Sequence, residues 1–225
     1  MKMVFMNGAA QPLQARIAPN LTEGPALLAT LLLVAGAYLV GSVSFAVIVS
    51  RAFGLPDPHG YGSGNPGATN VLRTGHRLAA LLTLLGDGLK GFVAVFAAQR
   101  LAPALNAPDW TVAAAVLAVF LGHLYPVFHR FAGGKGVSTA AGIVLALDWP
   151  LGVALATVWL VMAFGFKISS LAALTTAVLL PLGLFYVAGP GPLALAGVAI
   201  ALLIFWRHRV NIRELVQGRE RTIGR

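Results

Sequence analysis

The sequence predicts an all-α polytopic membrane protein with seven transmembrane helices. Three observations carry this prediction: 58% of the residues are apolar, only 10% are charged, and the mean hydropathy is +0.82. Soluble domains carry roughly 25% charged residues, and the surface of a soluble chain of this size would need more polar side chains than the sequence contains. The solvent around most of the chain is therefore predicted to be lipid.

Seven apolar runs, separated by Gly, Pro or charged residues, are candidates for crossing a hydrocarbon core that takes about 20 helical residues. The runs cover residues 26–49, 78–98, 110–128, 137–147, 151–166, 171–188 and 193–206. The fourth run is the shortest, so its crossing is the least certain from length alone. Residues 1–25 are predicted to be a polar lead, residues 26–206 the transmembrane domain with motif loops near 57–77 and 129–139, and residues 207–225 a basic tail.

The distribution of Lys and Arg predicts the orientation, because positively charged loops stay in the cytoplasm. With the N-terminus outside and the C-terminus in the cytoplasm, three cations lie outside, namely Lys2, Arg16 and Arg100, and Lys90 lies within a span. Twelve lie inside: Arg51, Arg73, Arg77, Arg130, Lys135, Lys167, Arg207, Arg209, Arg213, Arg219, Arg221 and Arg225. Omitting the fourth span would place the later charges on the wrong side.

The net charge of +9 and the pI near 10.9 indicate contact with anionic lipid or an anionic substrate. The chain has no cysteine, which excludes disulfides, thiolate nucleophiles and cysteine metal sites. His-Glu-x-x-His, Gly-x-Ser-x-Gly and His-x4-Asp patterns are also missing from the sequence. A metal site and a conventional general base are therefore not predicted.

The first polar segment reads YGSGNPGATNVLR and covers residues 61–73. Asn65 followed by a proline predicts a helix N-cap, whose free amides attract anions. Thr69 and Arg73 are four residues apart on one face of that helix, with Asn70 beside them. These donors suit a phosphate group. The alternative is a tight turn that caps an interfacial helix.

The second segment, GGKGVST at 133–139, combines three glycines with Lys135 in a loop that resembles a phosphate-binding turn. It is not a Walker A motif, because Ser or Thr does not follow the Gly-Lys pair. The alternative is a plain turn between helices. The third segment, HRVNIRELVQGRE at 208–220, places His208 and Asn211 three residues apart, and its alternative is a basic anchor on lipid headgroups.

Two sets of polar residues are predicted to be structural. Asp87 and Lys90, three apart within the second span, are interpreted as a mutually neutralising pair at a helix contact. His123, near the inner end of the third span, is interpreted as a packing residue. His59 and His76 are predicted to lie in surface loops.

The segments together resemble the bacterial acyl-phosphate-dependent glycerol-3-phosphate acyltransferases of the PlsY type. The matching motifs are Ser-Gly-Asn-x-Gly-Ala-Thr-Asn-x-x-Arg at 63–73, Gly-Gly-Lys-Gly at 133–136 and Asn-Ile-x-x-Leu-x-x-Gly-x-Glu at 211–220. The residues at 86–91 and 122–123 also fit, so the resemblance covers nearly all of the chain beyond residue 25.

The resemblance implies a seven-span enzyme of the bacterial inner membrane with its active site on the cytoplasmic side. It implies transfer of a fatty acyl group from acyl-phosphate to the 1-hydroxyl of glycerol 3-phosphate, giving lysophosphatidic acid and phosphate. It further implies no cofactor, no metal, no acyl-CoA or acyl-carrier-protein donor and no nucleic acid partner. We expect the protein to act as a monomer.

The residues then receive expected roles. The catalytic set, which binds glycerol 3-phosphate, is Ser63, Arg73, Lys135, His208 and Asn211. The substrate-binding set, whose backbone amides and side chains hold the acyl-phosphate, is Asn65, Gly67, Thr69, Asn70, Gly133, Gly134, Gly136 and Ser138. The donor's own phosphate is expected to accept the hydroxyl proton, and the rival is a solvent-accessible His208 that acts as the base.

Two other classes of function fit the same composition. An organophosphate transporter would use helix N-termini around a midplane site, but its motifs should be accessible from both faces, whereas these cluster on one. A passive membrane scaffold would tolerate loss of Arg73 or Lys135.

Overall fold

The computed structural model describes residues 23–223, in which all regular secondary structure is helical. The polar lead at 1–25 therefore lies almost wholly outside the described residues. Ten α-helices follow one another along the chain, with a 3-10 turn at Val127–His129 after the fifth. They are α1 Glu23–Gly41, α2 Phe45–Ala52, α3 Ala68–Leu72, α4 Arg77–Ala104, α5 Trp110–Leu124, α6 Val137–Leu147, α7 Trp149–Phe166, α8 Ser169–Ala188, α9 Pro192–Arg207 and α10 Arg209–Val216.

The helices confirm an all-helical membrane architecture. Among residues 23–223, five helical stretches are long and apolar enough to cross a membrane, and α9 with α10 would make six if they formed one bent span. The helix α6 has 11 residues and is about 16 Å long at 1.5 Å per residue, about half of a hydrocarbon core. Judged by helix length and composition, five or six crossings fit the described residues, fewer than the seven that the apolar runs predict.

The first predicted span is not one helix. The run 26–49 is interrupted at residues 42–44 and forms α1 and α2. Gly41 packs so closely on the backbone of Val119 that a side chain there would overlap it. At the interruption Lys90 Nζ donates to the Val43 carbonyl oxygen at 2.7 Å. A carbonyl freed by the break is thereby satisfied inside the bundle, as buried backbone requires.

The helix α5 lies at the centre of the bundle, where it packs against α1, α4, α6 and α9. Its Val116, Val119 and Phe120 are fully buried, together with Ile143 of α6 and Ile200 of α9. Large apolar side chains on the outside of the bundle remain exposed, among them Leu89, Phe164 and Leu202. Large apolar side chains on the outside of a helix bundle are expected where lipid, rather than water, is the solvent.

The helices α4 and α6 cross at closely packed glycines. A methyl group added at Gly142 of α6 would overlap the Gly88 carbonyl, and one added at Gly91 of α4 would overlap the Thr139 carbonyl. Small residues of this kind let membrane helices approach through their backbones. The contact places the N-terminal end of α6, and the loop before it, beside α4.

Candidate active site

The first polar segment folds around the side chain of Asn70, which is 1% exposed. Its Nδ2 donates to the carbonyls of Pro58 at 2.9 Å and Tyr61 at 3.2 Å. Its Oδ1 accepts from the backbone N–H of Ser63 at 3.0 Å, from the Ser63 hydroxyl at 3.2 Å and from Arg73 Nη1 at 3.2 Å. Asn70 therefore holds Ser63 and Arg73 beside each other, and its amide is saturated by the protein.

The predicted N-cap at Asn65 is wrong by two residues. The short helix α3 begins at Ala68, and its N-cap is Gly67, which has an extended backbone and no side chain to cap with. Asn65 and Pro66 precede this cap in the loop, where Pro66 is buried. Thr69 lies on α3, and Arg73 is its C-cap.

The second segment forms a loop that leads into α6. Gly136 is the N-cap of α6 with φ of +83°, a left-handed conformation that favours glycine. Lys135 Nζ donates to Asn211 Oδ1, which joins this loop to α10. Ser138, in the first turn of α6, donates its hydroxyl to the Leu84 carbonyl at 2.6 Å.

Two glycines of this loop face away from the other motif residues. The Gly134 N–H donates to the His123 carbonyl at 3.1 Å, and the Gly133 and Gly134 carbonyls accept from Arg207 at 2.5 and 3.1 Å. Both glycines are buried. The geometry thus gives Gly134 no free amide for a substrate and makes both glycines structural elements of the loop.

The third segment turns at His208. The helices α9 and α10 meet there at a bend of 62°, so the helix does not continue straight past residue 207. His208 Nδ1 lies 2.8 Å from the Ile204 carbonyl, and the ring is 3% exposed. Nδ1 therefore carries the proton and Nε2 is free to accept a hydrogen bond. The residue as a whole is mostly buried.

A carboxylate completes the third segment. Glu220 Oε1 accepts from Asn211 Nδ2 and from Ser170 Oγ of α8, both at 2.8 Å. Just beyond it the Ile223 N–H donates to the Lys167 carbonyl at 2.7 Å. The basic tail up to residue 223 therefore folds back onto the connection between α7 and α8.

The three segments converge on one cavity of about 1230 Å³. Its polar part includes eleven of the thirteen predicted site residues, and the two exceptions are Gly133 and Gly134. The eleven are Ser63, Asn65, Gly67, Thr69, Asn70, Arg73, Lys135, Gly136, Ser138, His208 and Asn211. The rest of the wall is mainly apolar and is contributed by α4, α6, α7 and α8, with residues such as Leu85, Leu145, Leu155 and Leu180. One cavity can thus hold a charged head group and a long apolar chain.

The charges of the cavity act on one another. The pKa of Lys135 is lowered to about 8, mainly because the amine is buried; Glu220 opposes this shift, and Arg207 and Arg73 add to it. Burial also lowers the pKa of His208 to about 4, with Lys135 contributing in the same direction. At neutral pH His208 is therefore neutral, and Lys135 is a cation whose desolvation makes a bound anion favourable.

Some residues of the cavity were missed as site residues. Arg77 and Arg221 line it beside the predicted cations, although the sequence indicates only a role in topology for them. Ser170 also lines it and belongs to none of the three motifs. The sequence marks Glu220 only as the last residue of the third motif. An acid within a strongly basic tail was the signal that could have found Glu220.

The other polar residues that were predicted to be structural have these positions. Lys90 Nζ lies 2.9 Å from Asp87 Oδ1, and both side chains are buried. His123 is 7% exposed and packs inside the bundle. His76 is exposed, whereas His59 is half-buried and its Nε2 lies 2.9 Å from the Ala132 carbonyl. Within residues 23–223, no three His, Asp or Glu side chains converge as a metal site would require.

Comparisons with known proteins agree on one family. The family model described as glycerol-3-phosphate acyltransferase matches residues 31–218. The glycerol-3-phosphate acyltransferase of Cupriavidus pinatubonensis is 58% identical over 199 residues, which is 88% of this chain and 98% of that protein. The one from Thiobacillus denitrificans is 57% identical over 195 residues, or 87% of this chain and 98% of that protein.

Two crystal structures share the architecture. Both are of PlsY, an integral membrane glycerol 3-phosphate acyltransferase, and both are 37% identical to this chain. The glycerol 3-phosphate form has a TM-score of 0.80 over 87% of this chain and 96% of that one. The lysophosphatidic acid form has a TM-score of 0.78 over 87% and 95%.

Proposed function

Because the chain belongs to the glycerol-3-phosphate acyltransferase family, we propose that it takes its acyl group from an acyl-phosphate and attaches it to the 1-hydroxyl of glycerol 3-phosphate. The observation that carries the proposal is that one cavity combines a cationic end with an apolar wall. Both substrates carry phosphate, and one also carries a fatty chain. A site for the pair therefore needs clustered cations beside an apolar surface, which this cavity provides.

In the proposed reaction the 1-hydroxyl oxygen of glycerol 3-phosphate attacks the acyl carbonyl carbon. A new carbon–oxygen bond forms, and the bond from that carbon to the bridging phosphate oxygen breaks. The hydroxyl proton passes to the departing phosphate, so the products are lysophosphatidic acid and inorganic phosphate. An acyl-phosphate has a good leaving group, and positioning with charge stabilisation supplies the remaining catalysis.

The cations and donors at the polar end take the binding roles. Arg73, aligned by Asn70, and Lys135, aligned by Asn211, neutralise the phosphate of glycerol 3-phosphate together with Ser63 and His208. The donor's phosphate lies against the loop that contains Asn65, Gly67 and Thr69 and against the N-terminal end of α6 at Gly136 and Ser138. Helix N-termini and free loop amides favour such anions.

His208 is proposed to bind rather than to act as the base. A pKa of about 4 makes its neutral Nε2 a weak proton acceptor at neutral pH. His208→Gln keeps a hydrogen-bonding group but cannot carry a proton through the reaction. If this variant lost the chemical step while it still bound glycerol 3-phosphate normally, His208 would be the base and the proton route through the donor phosphate would be wrong.

The membrane arrangement is also proposed. We infer seven crossings with the N-terminus outside, the site at the cytoplasmic face of the bacterial inner membrane, and a monomeric enzyme. The cation distribution along the sequence supports this orientation.

The test compares acyl donors on the purified protein in detergent. Acyl-phosphate, acyl-CoA and acyl-carrier protein are supplied separately with labelled glycerol 3-phosphate, and labelled lysophosphatidic acid and released phosphate are measured. Turnover with acyl-phosphate alone, with one phosphate released per acyl group transferred, is the expected result. Equal or faster turnover with either thioester donor would overturn the proposal, and a detergent solution leaves a transporter no compartments across which to act.

A further inference from the structure

A buried polar cluster connects three helices next to the glycine loop. Its side chains are Asp87 and Lys90 of α4, His123 of α5 and Thr139 of α6, and none is more than 7% exposed. Lys90 pairs with Asp87 at 2.9 Å, and His123 Nδ1 lies 3.7 Å from Asp87 Oδ1. Burying two charges is costly unless they are paired and oriented, so the cluster fixes how these helices meet.

The hydrogen bonds of Thr139 fix the orientation of the His123 ring. The Thr139 hydroxyl donates to the Asp87 carbonyl at 3.0 Å, and its oxygen lies 3.1 Å from His123 Nδ1. A hydroxyl has one proton to donate, so His123 Nδ1 must be the donor to Thr139. The opposite edge of the ring, with Nε2, is then directed at the glycine loop.

His123 meets the loop through both its backbone and its ring. Its carbonyl accepts the Gly134 N–H at 3.1 Å. A methyl group added at Gly134 would overlap Nε2 of the ring, and one added at Gly133 would overlap the His123 carbonyl. From the other side Arg207 donates to both glycine carbonyls. Contacts with His123 on one side and Arg207 on the other therefore fix the backbone of Gly133 and Gly134, and Lys135 directly follows Gly134.

We propose that His123 is a positioning residue: held by Thr139 and Asp87, it fixes the Gly133–Gly134 backbone so that the Lys135 ammonium reaches Asn211 and the substrate phosphate. The inference rests on the function proposed above, in which Lys135 binds glycerol 3-phosphate. His123 acts through the loop and takes no part in the bond-making step. A substitution that loosens the cluster should therefore raise KM for glycerol 3-phosphate strongly while it lowers the thermal midpoint only modestly.

The first test removes one hydroxyl from the cluster and compares it with a matched control. Thr139→Val deletes the partner of His123, whereas Thr83→Val deletes a hydroxyl that is equally buried in α4 but bonds only to its own helix, at the Ala79 carbonyl. We expect Thr139→Val to lower kcat/KM for glycerol 3-phosphate by roughly 10- to 100-fold, mainly through KM, as small misplacements do. Thr83→Val should lower the thermal midpoint similarly and leave KM unchanged. Thr139→Ser should restore KM.

The second test measures the pKa of the Lys135 amine, which reports how deeply the side chain is buried and does not depend on catalysis. The pH dependence of acylation of the Lys135 amine by a water-soluble reagent, followed on the Lys135 peptide by mass spectrometry, gives the pKa of that amine. The pKa of about 8 in the wild type reflects burial, so the midpoint should move up towards 10.5 in Thr139→Val and in His123→Leu. His123→Asn, which keeps a donor near Nδ1, should stay near the wild type.

The outcomes separate the two proposals. Equal effects of Thr139→Val and Thr83→Val on KM, together with an unchanged labelling midpoint, would overturn the positioning role. Normal binding of glycerol 3-phosphate by Lys135→Ala would instead refute the proposed role of Lys135. The labelling midpoint would still report whether the cluster holds this side chain in place.

Discussion

Asn70 illustrates what single residues of the motifs do. Its type and position suggested a phosphate ligand, yet all of its hydrogen bonds go to the loop and to Arg73. The Gly134 N–H likewise donates to the His123 carbonyl and is not free to bind a substrate. The sequence predicted which residues gather at the site, but not the division between ligands and their supports. That division depends on partners up to 12 positions away and on other elements, which no local pattern encodes.

Lys135 should give binding a characteristic pH dependence. Its pKa of about 8 means that the ammonium is charged below pH 8 and is lost as the pH rises above it. We therefore expect the dissociation constant of glycerol 3-phosphate to be flat from pH 7 to about 8 and then to rise by up to about tenfold per pH unit. Calorimetric titration from pH 7 to 9.5 measures this.

Lys135→Arg is the control for this pH dependence. A guanidinium stays charged throughout the range, so the variant should bind with a flat pH profile even if its affinity is lower. The same rise above pH 8 in Lys135→Arg would show that another group titrates.

The helices were predicted with unequal success. The run 137–147 is reproduced as α6 without change, and the last three runs agree with α7, α8 and α9 to within two residues. The interruption at 42–44 was missed because Gly41, Ser42 and Ser44 are small and uncharged, so the run remains apolar on average. Its cause is tertiary: Gly41 packs closely on α5, and the Lys90 ammonium donates a hydrogen bond to the Val43 carbonyl.

The α4–α6 contact yields a stability prediction. Gly142→Ala places a methyl group on the Gly88 carbonyl, and overpacking of this kind costs roughly 1–3 kcal/mol. We expect a lower thermal midpoint in detergent and a loss of activity that follows the displacement of α6. Gly165→Ala on α7 is the matched control, because nothing lies within 4 Å of the added methyl group. A midpoint in Gly142→Ala as high as in Gly165→Ala would mean that the helices are not packed this closely.

At the scale of the molecule, composition predicted lipid as the solvent, and the described helices agree. The number of crossings is harder to predict, because α6 is too short to cross by itself and its place depends on α4 and α7. The shape and volume of the cavity could not be predicted. It forms where loops separated by more than 130 residues meet the apolar faces of four helices.

The proposed topology can be tested because the chain has no native cysteine, so each introduced cysteine is unique. Asp109, between α4 and α5, and Gln217, after α10, are both exposed. In intact cells a membrane-impermeant maleimide should label Asp109→Cys and leave Gln217→Cys unlabelled until the membrane is permeabilised. Labelling of Gln217→Cys alone would show that the orientation is the reverse of the one proposed. Labelling of both would show that the two positions lie on the same outer face.

The central claim is that Arg73 and Lys135 are counter-charges for the substrate phosphate. Titration of glycerol 3-phosphate into purified Arg73→Ala and Lys135→Ala, with thermal midpoints taken on the same samples, tests it most directly. Arg51→Ala, which removes an exposed cation outside the cavity, is the control for net charge. The account predicts binding about 10- to 100-fold weaker in the two cavity variants, midpoints close to the wild type, and normal binding in Arg51→Ala. Unchanged binding in both cavity variants, or equal weakening in Arg51→Ala, would contradict it.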